Sequence, residues 1–178
     1  MKRWMGRLVL LAVLGVVGFY LWRWLFPDPE LEIRRRVQEV AQLASFANNE
    51  GPLAKAANAH KLTTYFSLDA TVVVEGSGQP QIRISGQQEL LQTALAARQN
   101  LASLKVEFLD VTVALSNGKQ AAQVNLTARA RVPGERDDLI AELNLFFKKI
   151  EGDWLITRVE TVRTLSGQAR PAGSPPGA

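Results

Sequence analysis

The most constraining feature of this chain is an uncharged apolar segment near its N-terminus. Residues 8–22 read LVLLAVLGVVGFYLW, and a short apolar continuation follows Arg23. An arginine side chain can extend along apolar surface and keep its charge at the headgroups, so the segment approaches the roughly 20 residues that cross a bilayer. The sequence therefore predicts a transmembrane helix within residues 1–26.

Amphipathic side chains flank this segment on both sides. Tryptophan and tyrosine are enriched at the two membrane interfaces, and arginine extends toward the headgroups. The residues predicted to lie at the membrane interface are Trp4, Arg7, Tyr20, Trp22, Arg23 and Trp24.

The distribution of charge around the segment predicts its orientation. Three basic residues and the amino terminus precede it, whereas Arg23 alone follows it before Asp28. The positive-inside rule then places the N-terminus in the cytoplasm and the rest of the chain on the periplasmic or extracytoplasmic side of the inner membrane. A cleaved signal peptide is the alternative, but residues 19–27 are too bulky for a cleavage site. We therefore expect a single-pass membrane protein.

The remainder of the chain is electrically balanced. There are 21 Lys and Arg against 17 Asp and Glu, and residues 1–26 hold four of the basic residues and no acidic one. A neutral soluble part does not favour nucleic acid as a partner. With no Cys and only His60, the chain lacks a thiolate or histidine-rich metal site, and no cofactor-binding motif is present. We expect neither metal nor cofactor.

Residues 27–165 are long enough for one domain with its own core. Apolar residues recur at spacings of three and four after the apolar segment, which predicts a helix that stops at residues 48–51. A shorter helix is predicted from Pro52 to about Ala59, and further helical turns over residues 60–67. The buried face of the first helix is predicted to be Ile33, Val37, Val40, Ala44 and Ala47.

A change of period follows these helices. Residues 70–84 alternate as a β-hairpin, and Ser85 is predicted to cap a helix that ends near Asn100, with the Gln88 side chain reaching back. Residues 166–178 are rich in Pro, Gly and Ala without periodic apolar residues, so we expect a disordered tail.

Four long strands are predicted between the capped helix and the tail. They span residues 104–115, 120–132, 139–150 and 154–165. The second strand alternates Ala, Val and Leu with amides, Thr and Arg, so it has one dry and one polar face. Cross-strand ion pairs with glutamates such as Glu142 and Glu160 are expected to neutralise Arg129, Arg131 and Arg158 on the polar face. The prediction is an α+β domain with about three helices on the dry face of a curved antiparallel sheet.

The order of these elements resembles the nuclear transport factor 2-like fold, which SnoaL-like polyketide cyclases and ketosteroid isomerases share. Three segments carry the resemblance. LTTYFSLDATV at 62–72 looks like the entry into the first strand of that family, ISGQQELL at 84–91 like its capped helix, and GDWLITRV at 152–159 like its last strand. The resemblance covers about residues 28–165 and implies a cone-shaped α+β domain.

The resemblance leaves the chemistry open, because members of this fold include both enzymes and non-enzymatic binding proteins. Tyr65 and Asp69 lie where some enzymatic relatives carry site residues, and they are the candidate ligand-binding residues at the mouth of the cone. The structural alternative makes Tyr65 a core aromatic and Asp69 a turn residue. The dry face of residues 120–132 offers no acid or base, so no catalytic residue is predicted.

Three functional hypotheses follow. The first is a membrane-anchored, non-catalytic binding or assembly module of the bacterial cell envelope that takes a protein partner, since tethering raises effective concentration at the membrane. The alternative is a SnoaL-like small-molecule enzyme, or a carrier of a hydrophobic ligand, that uses the cone cavity. The third is a homodimer formed through the polar face of the sheet.

Overall fold

A computed structural model describes residues 28–75, 81–116, 118–134 and 138–165. Within these ranges, no helix is long and apolar enough to cross a membrane. The predicted membrane segment in residues 1–26 lies outside the described residues, and so does the predicted tail at 166–178. The same holds for the residues predicted at the membrane interface, which are Trp4, Arg7, Tyr20, Trp22, Arg23 and Trp24.

Helix α1 spans Pro29–Ala44 and supplies one wall of the core. The Asp28 side chain accepts a 3.0 Å hydrogen bond from the Glu30 amide, and Pro29 fits the first turn because it has no amide hydrogen to satisfy. The helix ends earlier than predicted, because Ser45 adopts an extended conformation. Phe46 then forms an isolated bridge with Leu104. The inward-facing residues are Ile33, Val37, Val40 and Ala41, whereas Ala47 is exposed outside the helix.

Helices α2 and α3 span Pro52–Thr63 and Gln87–Asn100. The predicted break after Ala59 is wrong, because α2 continues without interruption. The predicted cap of α3 is also wrong. Gly86 occupies the N-cap position with φ +82°, and the Glu89 carboxylate, rather than the Gln88 side chain, accepts a 2.8 Å hydrogen bond from the Ser85 amide.

Six strands form one sheet in the order β2-β1-β6-β5-β4-β3. The four long strands pair antiparallel, as predicted. The expectation of a wholly antiparallel sheet is wrong, because β1 pairs parallel with β6. The helical turns predicted over residues 60–67 also end earlier, since β1 begins at Phe66. The strands are β1 (Phe66–Val74), β2 (Ile82–Ser85), β3 (Lys105–Leu115), β4 (Ala121–Arg131), β5 (Leu139–Ile150) and β6 (Asp153–Leu165).

The inner face of the sheet packs against α1 and forms the core. On β4, Ala122, Val124 and Leu126 are buried, as the alternation of the sequence predicted. Their partners on β5 include Leu145 and Phe147, which are also buried. The remaining buried members of the core are Ile33, Val37, Val40, Phe66, Ala70, Trp154, Ile156 and Val159.

The free edge of β3 is partly covered by α1. The Ser45 hydroxyl accepts a 2.9 Å hydrogen bond from the Val106 amide, and the Arg34 guanidinium donates one of 2.7 Å to the Val111 carbonyl. These contacts occupy backbone groups that an edge strand otherwise leaves open to pairing with another chain. They also establish that α1 runs antiparallel to β3.

Candidate functional site

The buried part of the inner sheet face carries no titratable side chain on the described strands β3–β6. An acid or base that acts on a ligand in the cone would have to project from this face or from the helices above it. Thr161 is the single polar residue of the set. The inward-facing residues are Val106, Phe108, Val113, Leu115, Ala122, Val124, Leu126, Ala128, Leu143, Leu145, Phe147, Trp154, Ile156, Val159 and Thr161.

Side chains fill the interior of the cone under α1. Trp154, Ile156 and Val124 are 0% exposed, and so is Ile33 of α1. Because no water molecule reaches these side chains, no chamber wide enough for a substrate adjoins them. The described core is therefore a packed interior between α1 and the sheet.

A polar cluster lies outside this core, where the turn before β1 meets α1. The Tyr65 hydroxyl donates a 2.8 Å hydrogen bond to Oε2 of Glu39, and the Arg35 guanidinium donates one of 2.9 Å to Oε1 of the same carboxylate. Tyr65 and Glu39 together line two open grooves of about 480 and 380 Å³. Arg36 and Asp153, joined by a 2.5 Å ion pair, line the first groove.

The hydrogen bonds of this cluster shift its pKa values in opposite directions. The hydrogen bond from Tyr65 holds the pKa of Glu39 below its ordinary value of 4.5, with a further contribution from Arg35. Burial raises the pKa of Tyr65 above 10.0, and its bond to Glu39 adds to that effect. Both shifts stabilise the state in which Tyr65 keeps its proton and Glu39 is charged, which is the state that forms the hydrogen bond. The pair is suited to joining two elements of the fold.

The structure does not join Tyr65 to Asp69, the other candidate at the mouth of the cone. Asp69 lies within β1, inside the irregularity between Phe66 and Thr71, and its side chain is exposed. Its pKa is lowered chiefly by the Ser67 hydroxyl. Tyr65 instead bonds to Glu39, a residue that the sequence analysis did not single out, because their contact bridges 26 positions of the chain.

Arg98 is a second residue that sequence reasoning missed. It is 2% exposed on α3, and Nη1 donates a 2.6 Å hydrogen bond to Oε2 of Glu50. Its Nη2 donates to the Leu43 carbonyl, and its guanidinium lies 4.9 Å from the centroid of the Phe46 ring. These contacts give the buried charge of Arg98 its partners. They also connect α3 to the end of α1 and to the segment that follows it.

The outer sheet face carries ion pairs. Arg131 forms a 2.7 Å pair with Asp138, while Arg129 lies 3.9 Å from both Asp138 and Glu107. On β6, between β1 and β5, Arg158 pairs with Glu160 at 2.6 Å and stacks over Phe146. Ion pairs do neutralise these arginines, but the prediction of cross-strand pairs with Glu142 and Glu160 is wrong, because Glu160 pairs with Arg158 of its own strand and Glu107 and Asp138 act in place of Glu142.

Between these ion pairs, the outer face is polar and mostly uncharged. Asn125 of β4 lies directly opposite Asn144 of β5, and Thr127 lies opposite Glu142. The amide of Gln123 donates a 3.3 Å hydrogen bond to Oδ1 of Asn125. Such a surface offers hydrogen-bond donors and acceptors to another macromolecule across neighbouring strands.

No protein-family model matches the sequence, and no curated protein matches it. Solved structures do match. A nuclear transport factor 2-like protein from Novosphingobium aromaticivorans is 17% identical over 90% of each chain, with a TM-score of 0.57. A domain of unknown function with a cystatin-like fold from Nostoc punctiforme is 17% identical over 79% of this chain and 80% of its own, with a TM-score of 0.59.

A third similar structure is a candidate scytalone dehydratase from Novosphingobium aromaticivorans. It is 18% identical over 82% of this chain and 94% of its own, with a TM-score of 0.56. The described residues therefore have the nuclear transport factor 2-like fold, an α+β cone in which they contribute three helices and a curved six-stranded sheet. Proteins with this fold include dehydratase-like enzymes, so the fold alone assigns no activity.

Proposed function

We propose that residues 28–165 form a non-catalytic binding or assembly module, held at the membrane by the apolar N-terminal segment and directed to a protein partner in the bacterial cell envelope. One observation carries the proposal. The inner face beneath α1 is apolar and packed, whereas the polar side chains of β4 and β5 lie on the outer face of the sheet.

The outer face of the sheet is the surface that we assign to the partner. The three helices pack on the inner side, so among the described elements none covers the outer side of β3–β6. Its centre presents Asn125, Thr127 and Asn144, and Phe146 supplies an aromatic ring beside them. A partner that pairs these amides and hydroxyls and covers the ring combines polar specificity with apolar burial.

Site-specific photocrosslinking in intact membranes tests this proposal. The full-length protein carries a photoreactive amino acid at Asn125 or Asn144, and a control carries it at the exposed Gln92 on α3. We expect a stoichiometric adduct with one envelope protein from the outer-face positions and not from position 92. No adduct at either outer-face position would overturn the proposal, and an adduct with the mass of two copies would establish the homodimer instead.

A second candidate function is a carrier or enzyme with a hydrophobic ligand at the mouth of the cone. Its support is that Val72, Phe108 and Leu143 pack against the core but stay partly exposed, and that a similar structure is a candidate dehydratase. Tyr65 and Asp69 are then its ligand-binding residues. Mass spectrometry of solvent extracts from the purified protein distinguishes this function, since a carrier yields a stoichiometric small molecule that Leu143→Asp removes.

A further inference from the structure

Asp28, the first described residue, marks one end of the domain. Asp28 lies two residues after Phe26, the last residue of the apolar segment. This inference rests on the proposed function, in which that segment spans the bilayer. So short a connection keeps the end of the domain that carries Asp28 close to the headgroups.

The turn between β3 and β4 lies at this same end. The Arg34 guanidinium contacts the Val111 carbonyl. Arg34 follows Asp28 by six helical residues, which corresponds to about 9 Å along α1. From Val111 to Ser116, five residues of strand cover about 16 Å in the same direction. Ser116 and the described residues 118–120 therefore lie at the same end of the domain as the first residue of α1.

The turn between β5 and β6 lies beside it. The Lys149 amide donates a 2.9 Å hydrogen bond to the Gln120 carbonyl, which joins the two turns. Asp153, the first residue of β6, pairs with Arg36 of α1. Two hairpin turns and the start of α1 thus form one surface at the end of the domain nearest the apolar segment.

We call this the basal surface, and its side chains combine basic and apolar character. Leu31 is 62% exposed and Ile150 is 37% exposed. Lys119, Lys148 and Lys149 are exposed as well. Within the described part of the chain, none of the three lysines forms a salt bridge. The basal surface consists of Leu31, Lys119, Lys148, Lys149 and Ile150.

The acidic residues near this surface are largely engaged elsewhere. Glu30 pairs with Arg34 at 2.8 Å, and Arg36 lies 3.6 Å from Glu32. The Asp28 carboxylate caps the positive end of α1. Glu151, at the tip of the β5–β6 turn, is exposed, and so is Asp69, whose pKa Lys148 helps to lower. The arginines of α1 are thus engaged in the fold, and Lys119 and Lys149 are the basal cations left to meet another surface.

We propose that the basal surface docks onto anionic phospholipid headgroups, with its lysines at the phosphates and with Leu31 and Ile150 in the interfacial layer. A basic residue close to an anionic membrane contributes about fivefold to the ratio of docked to undocked domain. In the docked state strands β3–β6 extend away from the membrane surface, because the turns that join them contact the headgroups. The outer face of the sheet is then roughly perpendicular to the membrane plane, where a membrane-bound partner can contact it.

A single-cysteine probe tests the docking, since the natural chain contains no cysteine. The full-length protein carries an environment-sensitive dye on Gln120→Cys, beside the β3–β4 turn, or on Asn100→Cys at the end of α3. Each is reconstituted into phosphatidylcholine vesicles with or without phosphatidylglycerol, and both vesicles contain a spin-labelled quenching lipid. We expect quenching at position 120 in the anionic vesicles, its loss at high salt, and none at position 100.

Two pairs of charge-neutralising variants distinguish docking through the basal surface from nonspecific electrostatic attraction of the domain to the membrane. Lys119→Gln with Lys149→Gln lowers the ratio of docked to undocked domain about 25-fold. Arg83→Gln with Lys105→Gln makes the same charge change at the opposite end and leaves the ratio unchanged. Equal quenching with and without phosphatidylglycerol, no quenching at position 120, or equal effects of the two pairs overturns the inference.

Flotation of the same samples distinguishes the two proposals. If the protein floats with the vesicles after alkaline washing but shows no quenching at position 120, the membrane anchor is supported and the docking proposal is overturned. Protein that does not float overturns the anchor, and the docking proposal falls with it.

Discussion

The Tyr65 hydroxyl donates a 2.8 Å hydrogen bond to the carboxylate of Glu39, and this bond fastens the turn before β1 to the middle of α1. The same carboxylate accepts a bond from Arg35. Tyr65 also packs against the core through its ring. The bond therefore joins the first strand to the helix that covers the sheet, at the edge of the groove that Asp153 also lines.

Removal of this bond is expected to weaken the fold modestly. Tyr65→Phe keeps the ring and loses the hydroxyl, so the free energy of unfolding should fall by about 1 kcal/mol. Chemical denaturation followed by circular dichroism measures the change. Gln42→Ala, an exposed change on the same helix, is the control and should leave the stability unchanged. A loss above about 3 kcal/mol would contradict the partly exposed geometry of the pair.

The contribution of the Tyr65 hydroxyl should depend on pH at both extremes. Because the pKa of Glu39 is lowered in the fold, its contribution is complete above 4.5 and is lost as pH falls through the lower folded value. Because the pKa of Tyr65 is raised, its contribution is complete below 10.0 and is lost as pH rises through the higher folded value. The stability difference between the natural protein and Tyr65→Phe should therefore form a plateau between these limits. A difference that grows below pH 4 would contradict this assignment.

Arg98 should be far more sensitive than a surface arginine. Arg98→Met removes one member of a buried pair and leaves Glu50 without its charge partner, so we expect a loss of about 3 kcal/mol in the free energy of unfolding. Arg98→Met with Glu50→Gln should lose less than the sum of the two single changes, because the two side chains interact. Additive losses in this double-mutant cycle would show that the pair does not couple α3 to the segment after α1.

Phe146 and Phe147 provide a direct test of the register of β5. Phe147 is 1% exposed on the inner face, whereas Phe146 lies on the outer face beneath Arg158. Phe147→Ala should cost about 3–5 kcal/mol, and Phe146→Ala about 1 kcal/mol or less. Thermal unfolding of the two variants is the measurement. The reverse order would require a slip of one residue in the strand, which exchanges the two faces.

Local pattern predicted much of the fold. The alternation in residues 120–132 placed Val124 and Leu126 inside, and the structure confirms both. Strand β5 spans Leu139–Ile150, as predicted. Errors concentrated at element ends. Helix α1 stops at Ala44 because the chain turns to pair Phe46 with Leu104, a contact that local sequence does not reveal.

The pattern of residues along the chain is enough to assign the faces of the strands and helices, because side-chain direction repeats with a local period and apolar residues must be buried. Three features emerge only in the folded chain: β1 lies parallel to β6, Tyr65 bonds to Glu39, and Arg98 is buried. Each of these depends on which distant segments meet. Such meetings are set by the path of the whole chain around its core, and no local period encodes them.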